Sequence, residues 1–267
     1  MDYSVLMSVY AKDHPAHFKT AIESMLRQTV PPAQIVVVCD GPLTPELDAV
    51  IGAFGSRLDV VRIPENHGPG YSRAEAMQHC RCELIASMDS DDISVDDRCE
   101  KELAAFKSNP ELAVISGTIE EFDENPDEPF AKRVLPLTQE EILQYSKTRI
   151  PFNHVATMFR KSVVDQVGGY DRSLRVFEDY DLWIKVLKSG AKAANLSDVL
   201  VKVRCPSAQT QRRGGVAFGK QMLRFRKKLL RSGWINRKEY FFSAYPHFIV
   251  CIMPNFARRF VYKLLRK

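Results

Sequence analysis

Apolar residues gather in short runs through the first two-thirds of the chain, at residues 5–9, 35–39, 60–63, 84–88 and 113–116. Runs of four or five mostly apolar residues fit strands buried on both faces, the habit of a parallel sheet. Between these runs the apolar positions recur every three or four residues. Residues 16–28 carry Phe18, Ile22, Met25 and Leu26 on one stripe, and similar patterns lie near 44–54, 71–79 and 95–107. That period predicts helices. Strands alternating with helices over short links predict an α/β fold with a Rossmann-like, mostly parallel sheet flanked by helices. Ligands of such sheets sit beyond the carboxyl ends of the strands. Polar residues stand at those ends here: Tyr10, Asp40, Asn66 and Asp89.

The pattern then loosens. Residues 120–136 are acidic and hold three prolines, which predicts a surface loop. A strand over 155–159, a short helix over 161–167 closed by Gly168-Gly169, a helix over 181–188 and a strand over 199–203 complete the core. Beyond Cys205 the character changes. A helix over 216–231 places Phe218, Met222, Phe225 and Leu229 on one face and Lys220, Arg224, Lys227 and Arg231 on the opposite one. Residues 248–253 are apolar but far too few to span a bilayer, and a basic-apolar tail follows over 256–267. The division is a main α/β domain over 1–205 and a basic, mostly helical C-terminal extension over 206–267.

Charge sharpens that division. The net +5 over 267 residues conceals 15 Lys and Arg against one acid, Glu239, from Cys205 onward, and 23 basic against 32 acidic residues before it. Basic modules face nucleic acid, anionic lipid or phosphorylated ligands. A 45% hydrophobic chain of this length buries one large core. No run of eighteen apolar residues predicts a transmembrane helix, and Met1-Asp2-Tyr3 lacks the basic start of a secretory signal. The expectation is cytoplasmic residence, with peripheral attachment to the inner face of the cell membrane through the basic segment. The six cysteines form no C-x-x-C pairs, Cys80-Arg81-Cys82 is too tight for zinc, and plain thiols are expected.

The strongest chemical signal is Asp89-Ser90-Asp91-Asp92, which emerges from the apolar run 84–88. Three acids in four residues repel one another unless a cation compensates them. Mg²⁺ takes one or two protein carboxylates together with substrate phosphates, so the cluster suits a metal held against a diphosphate. The competing reading is a solvated acidic turn in which Asp92 or Ser94 caps the next helix. A second signal is Phe177-Glu178-Asp179-Tyr180-Asp181-Leu182-Trp183. Paired carboxylates beside aromatics suit general-base work, although acids at a helix start also simply favour its dipole. Asp40 and Tyr10 are placed to accept a uracil N–H and to stack on a base, or else they only form turns. Arg73, in the Gly/Pro-rich stretch 66–73, approaches phosphate oxygens in one reading, yet the stretch lacks the Gly-Lys-Ser/Thr of a P-loop. Gln211-Arg212-Arg213-Gly214-Gly215 is a phosphate clamp or a solvated linker.

Taken in this order, the residues resemble the family 2 glycosyltransferases, which have the GT-A fold. Ser4-Val5-Leu6-Met7-Ser8-Val9-Tyr10, Ser24-x-Leu26-x-Gln28-Thr29 and Ile35 to Gly41 are similar to that family's opening. Asn66-x-Gly68 with Arg73 matches its next motif, with Ala74 where the family often has Asn. Met88 to Asp92 matches its D-x-D, and Gly168-Gly169-Tyr170-Asp171 with Glu178 to Trp183 its acceptor-side motif. Asn153-His154, Arg160-Lys161-Ser162 and Arg212 to Gly215 resemble bacterial enzymes that build surface polysaccharides. The resemblance implies inverting transfer of a hexosyl or N-acetylhexosaminyl group from a nucleotide-sugar, a UDP-sugar, to a glycan or lipid-linked acceptor. Ser8, Tyr10, Asp40, Arg73, Asp89 and Ser90 would bind the donor, with His154, Arg212 and Arg213 holding its diphosphate. Asp91, with Asp89, would coordinate Mg²⁺ or Mn²⁺, and Asp179 would deprotonate the acceptor hydroxyl, with Glu178 and Asp181 next in line.

Two other classes remain in view. A nucleotidyltransferase would carry a Gly-rich, basic loop after the first strand, where Tyr10-Ala11-Lys12-Asp13-His14 has no glycine. A non-catalytic sugar-nucleotide-binding or membrane-scaffold protein has no need of both carboxylate groups. No nucleic-acid reader motif accompanies the basic residues, so nucleic acid is not an expected partner.

Overall fold

The structure, a computed structural model, describes residues 1–205 and 215–253. Strands β1 (Tyr3–Val9), β2 (Gln34–Asp40), β3 (Asp59–Ile63) and β4 (Leu84–Met88) lie in the order β3-β2-β1-β4, all parallel. β1, β2 and β4 are buried almost throughout, which is why their sequences run apolar without alternation. The links are α1 (Pro15–Leu26), α2 (Pro45–Phe54) and α3 (Pro69–His79). Each starts with a proline, whose missing N–H costs nothing in the first turn. A two-residue strand β5 (Ile93–Ser94) and α4 (Arg98–Ser108) follow.

The second half departs from the expected parallel alternation. β6 (Leu112–Phe122), β7 (Ala131–Arg133), β8 (Met158–Arg160) and β9 (Lys192–Arg204) extend the sheet in the order β4-β8-β6-β9-β5, with β7 on β6. β8 is antiparallel to both neighbours, and only β6 and β9 pair in parallel here. The apolar run at 113–116 thus lies near the start of an eleven-residue strand. The segment 120–136 is not all loop, because β6 and β7 form a hairpin within it. The strand expected from residue 155 begins at 158, after a 3₁₀ turn over His154–Ala156.

Five further helices follow. α5 (Gln139–Ser146) opens with a reciprocal capping box between Thr138 and Glu141, and α6 (Lys161–Gln166) precedes the Gly168-Gly169 turn. α7 (Glu178–Lys188) starts three residues earlier than the apolar pattern indicates. α8 (Val216–Arg231) and α9 (Arg237–Ile252) pack against each other where Gly219 leaves room for the Phe248 ring. α8 docks on the main body: Phe225, Leu229 and Ile235 cluster with Tyr180 and Ile184 of α7. The buried Arg226 donates to the carbonyls of Lys147 and Thr148, and Lys228 pairs with Asp171 and Asp181. The apolar stripe of α8 is therefore spent inside the molecule. Residues 248–253 are the last turns of α9 rather than a separate segment. Among the described residues no helix is long and apolar enough to cross a membrane.

Candidate active site

The carboxyl ends of β1, β2 and β4 open on one side of the sheet, and the chemistry gathers there. Asp40 ends β2 and is buried. Its Oδ1 accepts the His67 amide at 2.8 Å, and its Oδ2 accepts the Gly68 amide at 2.8 Å and Asn66 Nδ2 at 3.0 Å. A carboxylate offers about four acceptor sites, so Asp40 shapes the 66–68 turn and keeps one site in reserve. Gly68 sits at φ +92° in that turn, a left-handed conformation that a side chain resists. Ser8 is on β1, and Tyr10 lies just past its end. The Tyr10 amide donates to Asp13 Oδ2 at 3.1 Å, and Ser90 Oγ donates to the same oxygen at 2.8 Å.

The acids of the 89–92 loop have separate fates. Asp92 is buried and accepts the Arg204 amide of β9 at 2.8 Å. Helix α4 begins at Arg98 with Asp97 at its cap, so neither Asp92 nor Ser94 caps it. Asp89 Oδ1 accepts Arg73 Nη2 at 2.9 Å. Asp91 is pushed up to about 6 by burial and then by the charges of Asp89 and Asp13. Crowded carboxylates of this kind hold their protons until a cation relieves them.

Arg73 joins the two motifs. Its other Nη donates to Glu178 Oε1, so one guanidinium bridges the D-x-D loop and the start of α7 across 105 residues of sequence. The bridge depends on close packing. A Cβ on Gly70, one turn ahead of Arg73 on α3, would lie 2.3 Å from the Leu174 carbonyl and 2.5 Å from that of Asp171. Glycine at 70 lets the start of α3 reach the segment leading into α7, a role distinct from the approach to phosphate that the sequence suggests.

At α7 the three acids again divide. Asp181 is buried between Lys228 at 2.7 Å and Lys185 at 3.0 Å. Glu178 is buried against Arg73, and its carboxyl is pushed up to about 7 by burial and by Asp179, with Arg73 opposing. Asp179 is half-buried, and its Oδ1 accepts the Tyr180 amide at 2.7 Å. Phe177, just before them, holds a left-handed φ of 64° and stacks on Phe225 of α8 at 5.1 Å between centroids. Strain of that kind is costly and collects where a site needs a fixed geometry.

His154 does not reach the surface. It is buried among Tyr170 and Trp183, neither ring nitrogen has a hydrogen-bond partner among the described residues, and burial with the nearby Arg73 charge drives its pKa well below the usual value. The neutral imidazole adds no positive charge near Arg73. Arg212 and Arg213 lie outside the described residues. Two participants went unnoticed in the sequence. Asp13 was read only for the absence of glycine around it, and Arg204, which also donates from Nε to the Asp91 carbonyl, carries no local signal.

Comparison with known proteins bears on the family and the fold. Residues 4–168 match the family described as Glycosyl transferase family 2. The Escherichia coli UDP-Gal:alpha-D-GlcNAc-diphosphoundecaprenol beta-1,3-galactosyltransferase is 32% identical, over 98% of this chain and 95% of that protein. The amylovoran biosynthesis glycosyltransferase AmsE of Erwinia amylovora is 34% identical, over 99% of each. Among solved structures, S. aureus TarS 1-349 in complex with UDP-GlcNAc aligns with a TM-score of 0.66 at 19% identity, over 86% of this chain and 67% of that one. Against the longer TarS chain the match spans 40% of its length. At that identity the likeness speaks for the GT-A fold alone.

Proposed function

Because the chain belongs to Glycosyl transferase family 2, we propose that this glycosyltransferase moves a sugar from a UDP-sugar to a hydroxyl of a lipid-linked glycan, with inversion, in bacterial surface polysaccharide synthesis. The observation that carries this reading is the Arg73 bridge, which ties the acids at the end of β4 to the acids at the start of α7. One group faces the donor and the other the acceptor. The E. coli relative supports the choice of substrates, since its name specifies UDP-Gal and a diphosphoundecaprenol acceptor.

In this reading Tyr10 and the remaining acceptor site of Asp40 receive the uracil, with Ser8 and Ser90 alongside. Asp179 takes the proton from the acceptor hydroxyl. The oxygen then attacks the anomeric carbon from the face opposite the diphosphate, the bond from that carbon to the diphosphate breaks, and UDP leaves. Glu178 holds Arg73 in place, and Asp181 anchors α7 to α8. The donor set suits a hard divalent cation: Asp91 and Asp89 offer only oxygen, and the crowding at Asp91 calls for positive charge. Among the described residues no three His, Cys, Asp or Glu side chains are grouped to hold a metal by themselves. Two carboxylates completed by substrate phosphates are the usual arrangement for Mg²⁺ or Mn²⁺. Such an ion, held by Asp91 and Asp89, would stabilise the charge that develops on the departing diphosphate.

The test is donor screening by thermal shift with UDP-Gal, UDP-GlcNAc and UDP-Glc, with and without Mn²⁺, followed by transfer to a GlcNAc-diphospho-lipid. A melting temperature raised by a UDP-sugar only with Mn²⁺, and a β-linked product from an α-linked donor, are expected. Retained anomeric configuration, or binding indifferent to metal, would overturn the mechanism.

A further inference from the structure

Helix α9 leaves one face uncovered. Phe241, Phe242, Tyr245, Ile249 and Ile252 are between 46% and 74% exposed. Their spacing of three and four residues, with Phe242 beside Phe241, sets them along one stripe. Among the described residues the ring partners of Phe241, Phe242 and Tyr245 all belong to α9 itself. Five of the eleven large apolar side chains exposed in the described chain lie on this sixteen-residue helix, so the stripe is not ordinary surface scatter. The adjoining side of α9 is occupied, with Ala244 and Cys251 buried and Phe248 against Gly219 of α8.

The surroundings are cationic. Lys238 is exposed three residues before Phe241. α8, packed alongside, exposes Lys220, Arg224, Lys227 and Arg231 on the face turned from the core. Arg224, Lys227, Lys228 and Arg231 line a shallow cleft with Ser232. The one acid of residues 205–267, Glu239, is engaged in capping Asn236 and in a pair with Lys147. A second copy seated stripe against stripe would bring two strongly basic modules together, whereas an anionic bilayer matches both the charge and the apolar ridge.

We propose that the exposed stripe of α9 seats in the interface of an anionic bilayer, with Lys238 and the basic row of α8 at the lipid phosphates. The proposal deepens the lipid-linked acceptor reading by naming the surface that meets the membrane. The apolar face of α8 is covered by the core, so the apolar part of the contact falls to α9.

The test is flotation of the full chain with phosphatidylglycerol vesicles and with phosphatidylcholine vesicles. The wild-type protein should float with the former. Phe241→Ser/Phe242→Ser/Ile249→Ser should lose about tenfold or more in vesicle partition, keep its melting temperature, and retain transfer to a water-soluble acceptor. Lys220→Gln/Arg224→Gln/Lys227→Gln should weaken binding by about fivefold per charge, and high salt should mimic it. Equal flotation of wild type and the triple Ser variant, no flotation of wild type, or a wild-type dimer that the Ser variant makes monomeric would each overturn the proposal. Flotation of a protein that transfers no sugar would remove the proposed activity while the membrane surface stood.

Discussion

Two acidic clusters, one after β4 and one at the start of α7, each hold three acids and sort them the same way. In each, one acid is buried and engaged by the scaffold: Asp92 on the Arg204 amide, Asp181 between Lys185 and Lys228. A second is gripped by Arg73: Asp89 on one side, Glu178 on the other. The third, Asp91 or Asp179, carries the main role in the proposed chemistry, with Asp89 sharing the metal. The difference lies in what surrounds that third acid. Asp91 is crowded by like charges, which suits cation binding. Asp179 is half-buried at a helix start behind a strained Phe177, which suits a group that must meet an incoming hydroxyl. Side-chain type does not distinguish the six acids; burial and the nearest cation do.

The comparison breaks most visibly at the third acids. Asp179→Asn should lower the rate of transfer by about 10²–10⁴-fold while leaving donor affinity intact, the scale of a lost general base. Steady-state transfer and donor titration check it, and near-normal turnover would remove Asp179 from its role. Asp91→Ala should abolish the Mn²⁺-dependent part of donor binding, read by thermal shift, with little change in the ligand-free melting temperature. The engaged acids should behave oppositely. Asp181→Asn strands two lysines and should cost about 1–3 kcal/mol of stability in denaturant unfolding, with transfer at saturating substrates reduced far less than in Asp179→Asn. Gly70→Ala tests the bridge between the clusters: pressing a methyl against the 171–174 carbonyls should cost about 1–3 kcal/mol and reduce transfer in parallel.

The smallest effect concerns pH. Glu102 on α4 is fully buried beside Arg98, with its other oxygen unpartnered, and burial pushes its carboxyl up to about 7. A carboxyl raised above its unfolded value of 4.5 favours the protonated folded state. Its contribution is complete below pH 4.5 and is lost as pH rises through about 7. Glu102→Gln does not titrate there, so its melting temperature relative to wild type should improve between pH 5 and pH 8. An unchanged difference would place the proton elsewhere.

Much of this was legible locally. The apolar runs of β1, β2 and β4 announced buried parallel strands because a doubly covered strand has no polar face to alternate. Asp89 to Asp92 announced itself because so many acids seldom leave a buried strand together. The α5 start was written in Thr138 and Glu141 and went unread. β8 was misplaced because a three-residue strand shows no period, and β6 and β9 were cut short because their outer halves mix polar and apolar residues.

What the sequence determined alone was the α/β alternation, the family, the two acidic motifs and the basic C-terminal end, all features of composition and short-range period. What only the tertiary structure decided was the division of labour among the acids, the reach of Arg73 from Asp89 to Glu178, the need for glycine at 70, and which of the two last helices keeps its apolar face outside. Those depend on which distant charges and surfaces come within a few ångströms, and chain order does not encode distance across a fold.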